Sequence, residues 1–189
     1  LVMRAPWSCR RSHVRWPVMI TPLRIERAFD DPELIRAMFA RHAPYRAIAF
    51  YAPEGIADEA DKTRPPILPW FRGNWAVAGK PLVEGAERIL FNERFLDAAR
   101  AAFGTSDVHP EFVVANVNAP MPAGSTHVDV PSFHGATRVD YSLALLKVMG
   151  QSGLFEAWRV VRAGVVAWFY TGVGGNFDYW PDGPDGPMR

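Results

Sequence analysis

The residues best suited to chemistry are His127 and Asp129, two positions apart in the stretch Asn116–Ala136, NVNAPMPAGSTHVDVPSFHGA. Side chains alternate faces along a strand, so an imidazole and a carboxylate at this spacing leave on the same side. One nitrogen and one oxygen ligand can then meet a single metal ion, with a third ligand arriving from elsewhere. Two histidines and one carboxylate form the facial triad of non-haem iron sites, which keeps the opposite face of the metal open. The plainer alternative makes His127 a partly buried histidine hydrogen-bonded to Asp129 or to backbone. Asp129 is then a turn residue or an acceptor behind the ligands.

Asn116 and Asn118 alternate onto one face of the preceding strand. They can hydrogen-bond a cosubstrate or substrate, or equally satisfy local backbone groups. His134 is the only histidine after the pair, and it can supply a third ligand if residues 131–135 fold back. His109, ahead of Pro110, is expected at the surface or in a loop, as are His13 and His42. Arg138 can meet an acidic substrate group, or simply be solvated or pair with Asp140. Trp70, Phe71 and Trp75 can wall a pocket or pack as strand aromatics. Cys9 has neither a base nor an orienting scaffold around it. Gly172-Val173-Gly174-Gly175 looks like a phosphate loop, but the aromatic stretch after it offers no helix N-terminus. No P-loop, HExxH, EF-hand or CxxC pattern occurs.

The elements that must position these groups follow from periodicity and punctuation. A first strand is expected over Val18–Ala28. Asp30 or Asp31 can cap a helix whose first turn holds Pro32 and whose apolar positions are Leu34, Ile35, Met38 and Phe39. Tyr45–Tyr51 is a short strand, and Ile67–Val77 is aromatic and strand-like, with Pro69 favouring an edge or a bulge. Ala86–Phe103 is the clearest helix, stopped by Gly104. Phe112–Asn118 is a buried-type strand, and Pro120, Pro122 and Gly124 turn the chain toward Thr126–Val130. Tyr141–Met149 is a helix broken by Gly150 and Gly153. Val165–Thr171 is a buried strand, and Asn176–Trp180 begins another after a glycine turn.

With 189 residues, one domain is expected. The 12 Phe, 7 Trp and 17 Pro suit a strand-rich core joined by ordered loops better than a helical bundle. A formal charge of +1 argues against a polyanionic partner, so no nucleic acid is expected. No apolar run is long enough for a membrane span. The single cysteine excludes an internal disulfide framework and fits a reducing, cytoplasmic setting. Residues 1–17, with four arginines and no periodicity, are expected to be a basic, disordered arm. Residues 18–189 are expected to form a single domain.

Strand, Pro/Gly turn, Thr-His-Val-Asp, a helical insertion, a strand and then Gly-Gly-aromatic form an ordered series. In that series the chain resembles the iron(II)/2-oxoglutarate-dependent oxygenases of the phytanoyl-CoA-hydroxylase-like superfamily. The likeness is loose over Arg46–Arg189 and best over Asn116–Trp180. It implies an α+β fold: an incomplete double-stranded β-helix, jelly-roll or cupin-like, with N-terminal helices packed on one side. It implies Fe(II) and 2-oxoglutarate as cofactors, with His127 and Asp129 as two of three iron ligands. Asn116 and Asn118 are the candidate cofactor-binding residues. A carboxylate at 129, rather than Ala or Gly, points to hydroxylation of a small organic substrate rather than halogenation.

The family also places a distal histidine and a 2-oxoglutarate-binding Arg or Lys beyond the Gly-Gly turn. No histidine follows His134, and Arg159 and Arg162 precede the turn, so neither role is carried onto a residue here. The domain therefore reads as C-terminally incomplete, a truncated or degenerate relative, and its enzymatic status stays open. The alternatives are a non-catalytic cupin-like binding module, or an inactive fragment whose exposed strand edges need a partner or a homo-oligomer.

Overall fold

A computed structural model describes residues 2–4, 22–48, 70–120, 129–138, 140–170, 172–180 and 185–189. Along the chain run β1 (Val2–Arg4), α1 (Pro32–Arg41), β2 (Arg46–Ala47), β3 (Trp70–Val77) and β4 (Lys80–Pro81). Then come α2 (Glu87–Leu90), α3 (Glu93–Phe103), β5 (His109–Asn118), α4 (Leu143–Ser152), a 3-10 turn at Glu156–Trp158 and β6 (Arg162–Gly164). The protein is a mixed α+β domain. One antiparallel sheet has the order β2-β3-β5-β1-β6, with β4 hairpinned onto β3.

The helices form where capping chemistry and apolar spacing agree. Asp31 Oδ1 accepts from the Glu33 and Leu34 backbone N–H groups at 3.0 and 3.3 Å, and Pro32 needs no such partner. Ile35 and Met38 of α1 are buried. The helix expected over Ala86–Phe103 is two helices, because Asn92 interrupts it. Its side-chain oxygen accepts from the Arg94 and Phe95 N–H groups, as an N-cap does, and so starts a new helix. Gly104, at φ 65°, ends α3 in the left-handed conformation, as its position suggested. The third expected helix begins at Ser142, whose hydroxyl caps Leu145, and runs through Gly150 to Gly153. Gly150 does not break it. A Cβ there would stand 2.8 Å from Pro131 Cγ, so glycine allows the helix to pack closely on Pro131.

One face of the sheet is closed by α1 and α3. Trp75, Ala76, Val113, Ala115 and Met3 from the strands meet Ile35, Met38, Phe95, Leu96 and Ala99 from the helices in a continuous core. Phe39 stacks obliquely on Trp75 at 4.8 Å, and Phe29 meets Phe95 edge-on at 5.4 Å. Both Trp75 and Ala76 are buried because a bulge between Asn74 and Ala76 interrupts the alternation of β3. A second, smaller core gathers Phe133, Ala136 and Leu146, flanked by Val130, Met149 and Phe155. It belongs to residues 130–155, between β5 and β6, and shares no buried residue with the first.

Several expectations are corrected. Val2–Arg4, expected in the disordered arm, form a strand between β5 and β6, with Met3 buried. Residues 5–17 lie outside the described residues. The described part of the expected first strand, residues 22–28, is loop and turn. Of Tyr45–Tyr51, only Arg46–Ala47 pair in the sheet among the described residues. Residues 165–170 are not a strand. Phe169 leaves the sheet to pack on Phe29 and Phe39 at 5.5 and 5.8 Å, and its carbonyl accepts from Arg36 Nε at 3.2 Å. Tertiary contact with α1 thus replaces a ladder partner. Asn176–Trp180 also form no strand. Their contacts are local: Trp168 on Phe177, Phe177 on Tyr179, and a reciprocal backbone pair between Tyr179 and Arg189.

Candidate functional site

Strand β5 runs antiparallel beside β3 in a register that opposes Trp70 to Asn118, Arg72 to Asn116 and Gly73 to Ala115. Residues directly opposite one another share a face, and alternate positions along a strand share it too. Ala115 and Trp75 face the helices. Trp70, Arg72, Asn116 and Asn118 therefore lie on the other face of the sheet. Arg46 of β2 opposes Arg72 and joins them. The result is a row, Arg46–Arg72–Asn116, flanked by a second row, Trp70–Asn118.

The centre of this face is held by one amide. Asn116 Oδ1 accepts from Trp70 Nε1 at 2.9 Å and from Arg72 Nε at 3.2 Å. Both partners can only donate, which fixes the amide with its oxygen toward them and its Nδ2 hydrogens directed elsewhere. The Arg72 guanidinium also lies over the Trp70 ring, 5.5 Å from its centroid. Asn116 and Asn118 are exposed, while Trp70 and Arg72 are half-buried. Asn116 and Asn118 thus share a face, and the polar groups that engage Asn116 are side chains of β3 rather than its own neighbouring backbone.

Of the two expected metal ligands, His127 lies outside the described residues. Asp129 is exposed at the start of the 129–138 segment. A solvent-facing carboxylate is the right donor type for a hard divalent ion. Among the described residues no group of three His, Cys, Asp or Glu is gathered. His134 sits half-buried in the turn closed by Phe133 and Ala136, with its backbone N–H donated to Trp158 at 2.8 Å. His109 is exposed and contacts Asp107 at 2.7 Å. His42 is half-buried, its Nε2 is 3.1 Å from the Glu84 carbonyl, and its ring meets Trp75 edge-on. Asp140 accepts from the Thr137 hydroxyl at 2.9 Å rather than pairing with Arg138.

The aromatic residues separate by face. Trp75 is core, at 2% exposed, and Trp70 stands on the open face. Arg46 and Arg72 are the members of this face that sequence reasoning missed. Their only sequence signal is that Arg72 stands two residues from Trp70, and it acquires meaning only with the strand register. A cleft of about 260 Å³ between α1 and the turn before α2, lined by Leu34, Met38, Arg41, Glu84 and Gly85 among others, lies beside the helices. It brings together one exposed ion pair, Arg41–Glu84, and no chemistry-bearing set.

Among the described residues no helix is long and apolar enough to cross a membrane. No family model matches the chain, and neither a curated protein nor a solved structure gives a significant match.

Proposed function

We propose that the chain is a non-haem Fe(II)/2-oxoglutarate-dependent oxygenase-like domain acting on a small organic substrate, with His127 and Asp129 as two of its three iron ligands. The proposed scaffold is part of a double-stranded β-helix. The observation that carries this reading is the sidedness of the sheet. Helices occupy one face, and the opposite face presents Asn116 and Asn118 on the strand that leads directly into the His127–Asp129 stretch. An exposed Asp129 carboxylate is compatible with a role as ligand. Fe(II) bound there with 2-oxoglutarate would supply the oxidative chemistry; the residues of this chain would orient the ligands and the substrate.

The test is anaerobic addition of Fe(II) and then 2-oxoglutarate to the folded protein. A weak visible charge-transfer band is expected, and it should vanish in His127→Ala. A folded protein that gives no band would remove the cosubstrate from the proposal. Unchanged iron affinity in His127→Ala, read by calorimetry, would remove His127 from the site.

A further inference from the structure

We propose that the exposed apolar residues Val166, Trp168, Tyr170, Val173 and Phe177 form a self-association surface, which docks against the same surface of a second copy of this chain. The inference goes beyond the proposed function, and it needs neither metal nor cosubstrate.

Between Arg162 and Asp178 the chain has no charged residue. Within this run Val165 and Phe169 pack on the sheet–helix core, and the Phe169 carbonyl accepts from Arg36 Nε at 3.2 Å. The residues around them face solvent. Val166, Trp168 and Phe177 are each more than half exposed, Tyr170 is 69% exposed and Val173 99%. Gly174 and Gly175, at φ 92° and 72°, return the chain so that Phe177 meets the Trp168 ring edge-on at 5.9 Å. The patch is thus anchored from behind by packed side chains and apolar in front. An uncharged apolar patch of this extent marks a surface that docks on another. Area and charge identify the partner. Aromatic side chains present about 150–250 Å² each, so three of them half exposed, with two valines, offer on the order of 500 Å² per copy. Two copies in contact then reach the roughly 1,000 Å² that a specific interface needs. No charge has to leave water at the centre, which is the composition of homodimer interface cores. At the border stand Asp178 and Arg189, the latter held by its reciprocal backbone pair with Tyr179. In a two-fold contact the same surface serves both partners, so the acid of one copy can face the cation of the other. A lipid surface fits less well. Membrane-surface segments carry Lys and Arg beside their apolar residues. Residues 163–189 instead hold Asp178, Asp182 and Asp185 against the single Arg189.

The experiment is sedimentation velocity on the full chain across a dilution series, in a metal chelator, with the fold of each variant checked by circular dichroism. A reversible monomer–dimer equilibrium, micromolar or tighter, is expected. Val173→Asp puts a carboxylate on an almost fully exposed position, so it should leave the fold intact and weaken the dimer about tenfold or more. Trp168→Ala removes the largest contact side chain and should weaken it about thirtyfold or more. Leu154→Asp, at an exposed position on the separate 130–155 unit, should leave the equilibrium unchanged. A monomer at every concentration overturns the proposal. So does a dimer that Val173→Asp leaves as tight as the parent, or one that Leu154→Asp weakens as much as Val173→Asp does. A monomer that sediments with phosphatidylcholine vesicles, and loses them in Val173→Asp, replaces the second copy with a lipid surface and overturns the proposal too. None of these outcomes depends on whether Fe(II) and 2-oxoglutarate give their charge-transfer band.

Discussion

Asn116 and Arg72 stand directly opposite each other on adjacent antiparallel strands, and one oxygen of Asn116 serves both Arg72 and Trp70. The arrangement orders three side chains on a face whose asparagine is exposed. Water can replace the acceptor for both donors, so the bonds order the face more than they stabilise the fold. Asn116→Ala is expected to cost no more than about 1 kcal/mol, read as a small fall in the denaturation midpoint with unchanged slope. A loss of several kcal/mol would show that Asn116 is structural.

Asn92 has a different weight. Its oxygen caps α3, and its Nδ2 donates to the Ala28 carbonyl at 2.9 Å, tying the helix start to the loop before α1. Asn92→Ala should cost about 1–2 kcal/mol by chemical denaturation. Asn92→Asp keeps the cap acceptor and loses the donor, so it should recover part of that loss.

The core of Phe133, Ala136 and Leu146 is separate from the sheet–helix core. Leu146→Ala removes a fully buried side chain and should destabilise that cluster by about 2–5 kcal/mol. Hydrogen exchange should rise over residues 129–161 while α3 keeps its protection, because the two clusters share no buried residue. A uniform rise across both would show that they unfold as one unit.

Within that segment Arg159 holds Glu156 through paired hydrogen bonds and lies over the Phe133 ring. The Arg159 bond keeps the Glu156 carboxyl below its usual range, against the smaller opposing effect of burial. A carboxyl lowered in the folded state contributes stability above its unfolded pKa of about 4.3, and loses it as pH falls further. Local protection of residues 129–161 should therefore decline as pH drops below about 4.3, and Glu156→Gln should flatten that dependence. An unchanged pH profile in Glu156→Gln would remove this pair from the acid response.

Local chemistry sufficed for the parts whose partners lie within a few residues. Asp31 and Pro32, the apolar positions Ile35 and Met38, Gly104 after Phe103 and the apolar run of β5 are legible because caps, helical spacing and left-handed glycine act within one or two turns. The same alternation places Asn116 and Asn118 on one face, and the His127–Asp129 spacing marks a candidate ligand pair. Tertiary structure decided what depends on distant partners. Val2–Arg4 became a strand between β5 and β6, where Met3 completes the core, and Phe169 was drawn from an apolar strand-like run onto α1. The face that joins Arg46, Arg72 and Asn116 exists only once β2, β3 and β5 are in register. Register is a long-range choice: a shift of one residue would turn every side chain of a strand to the opposite face.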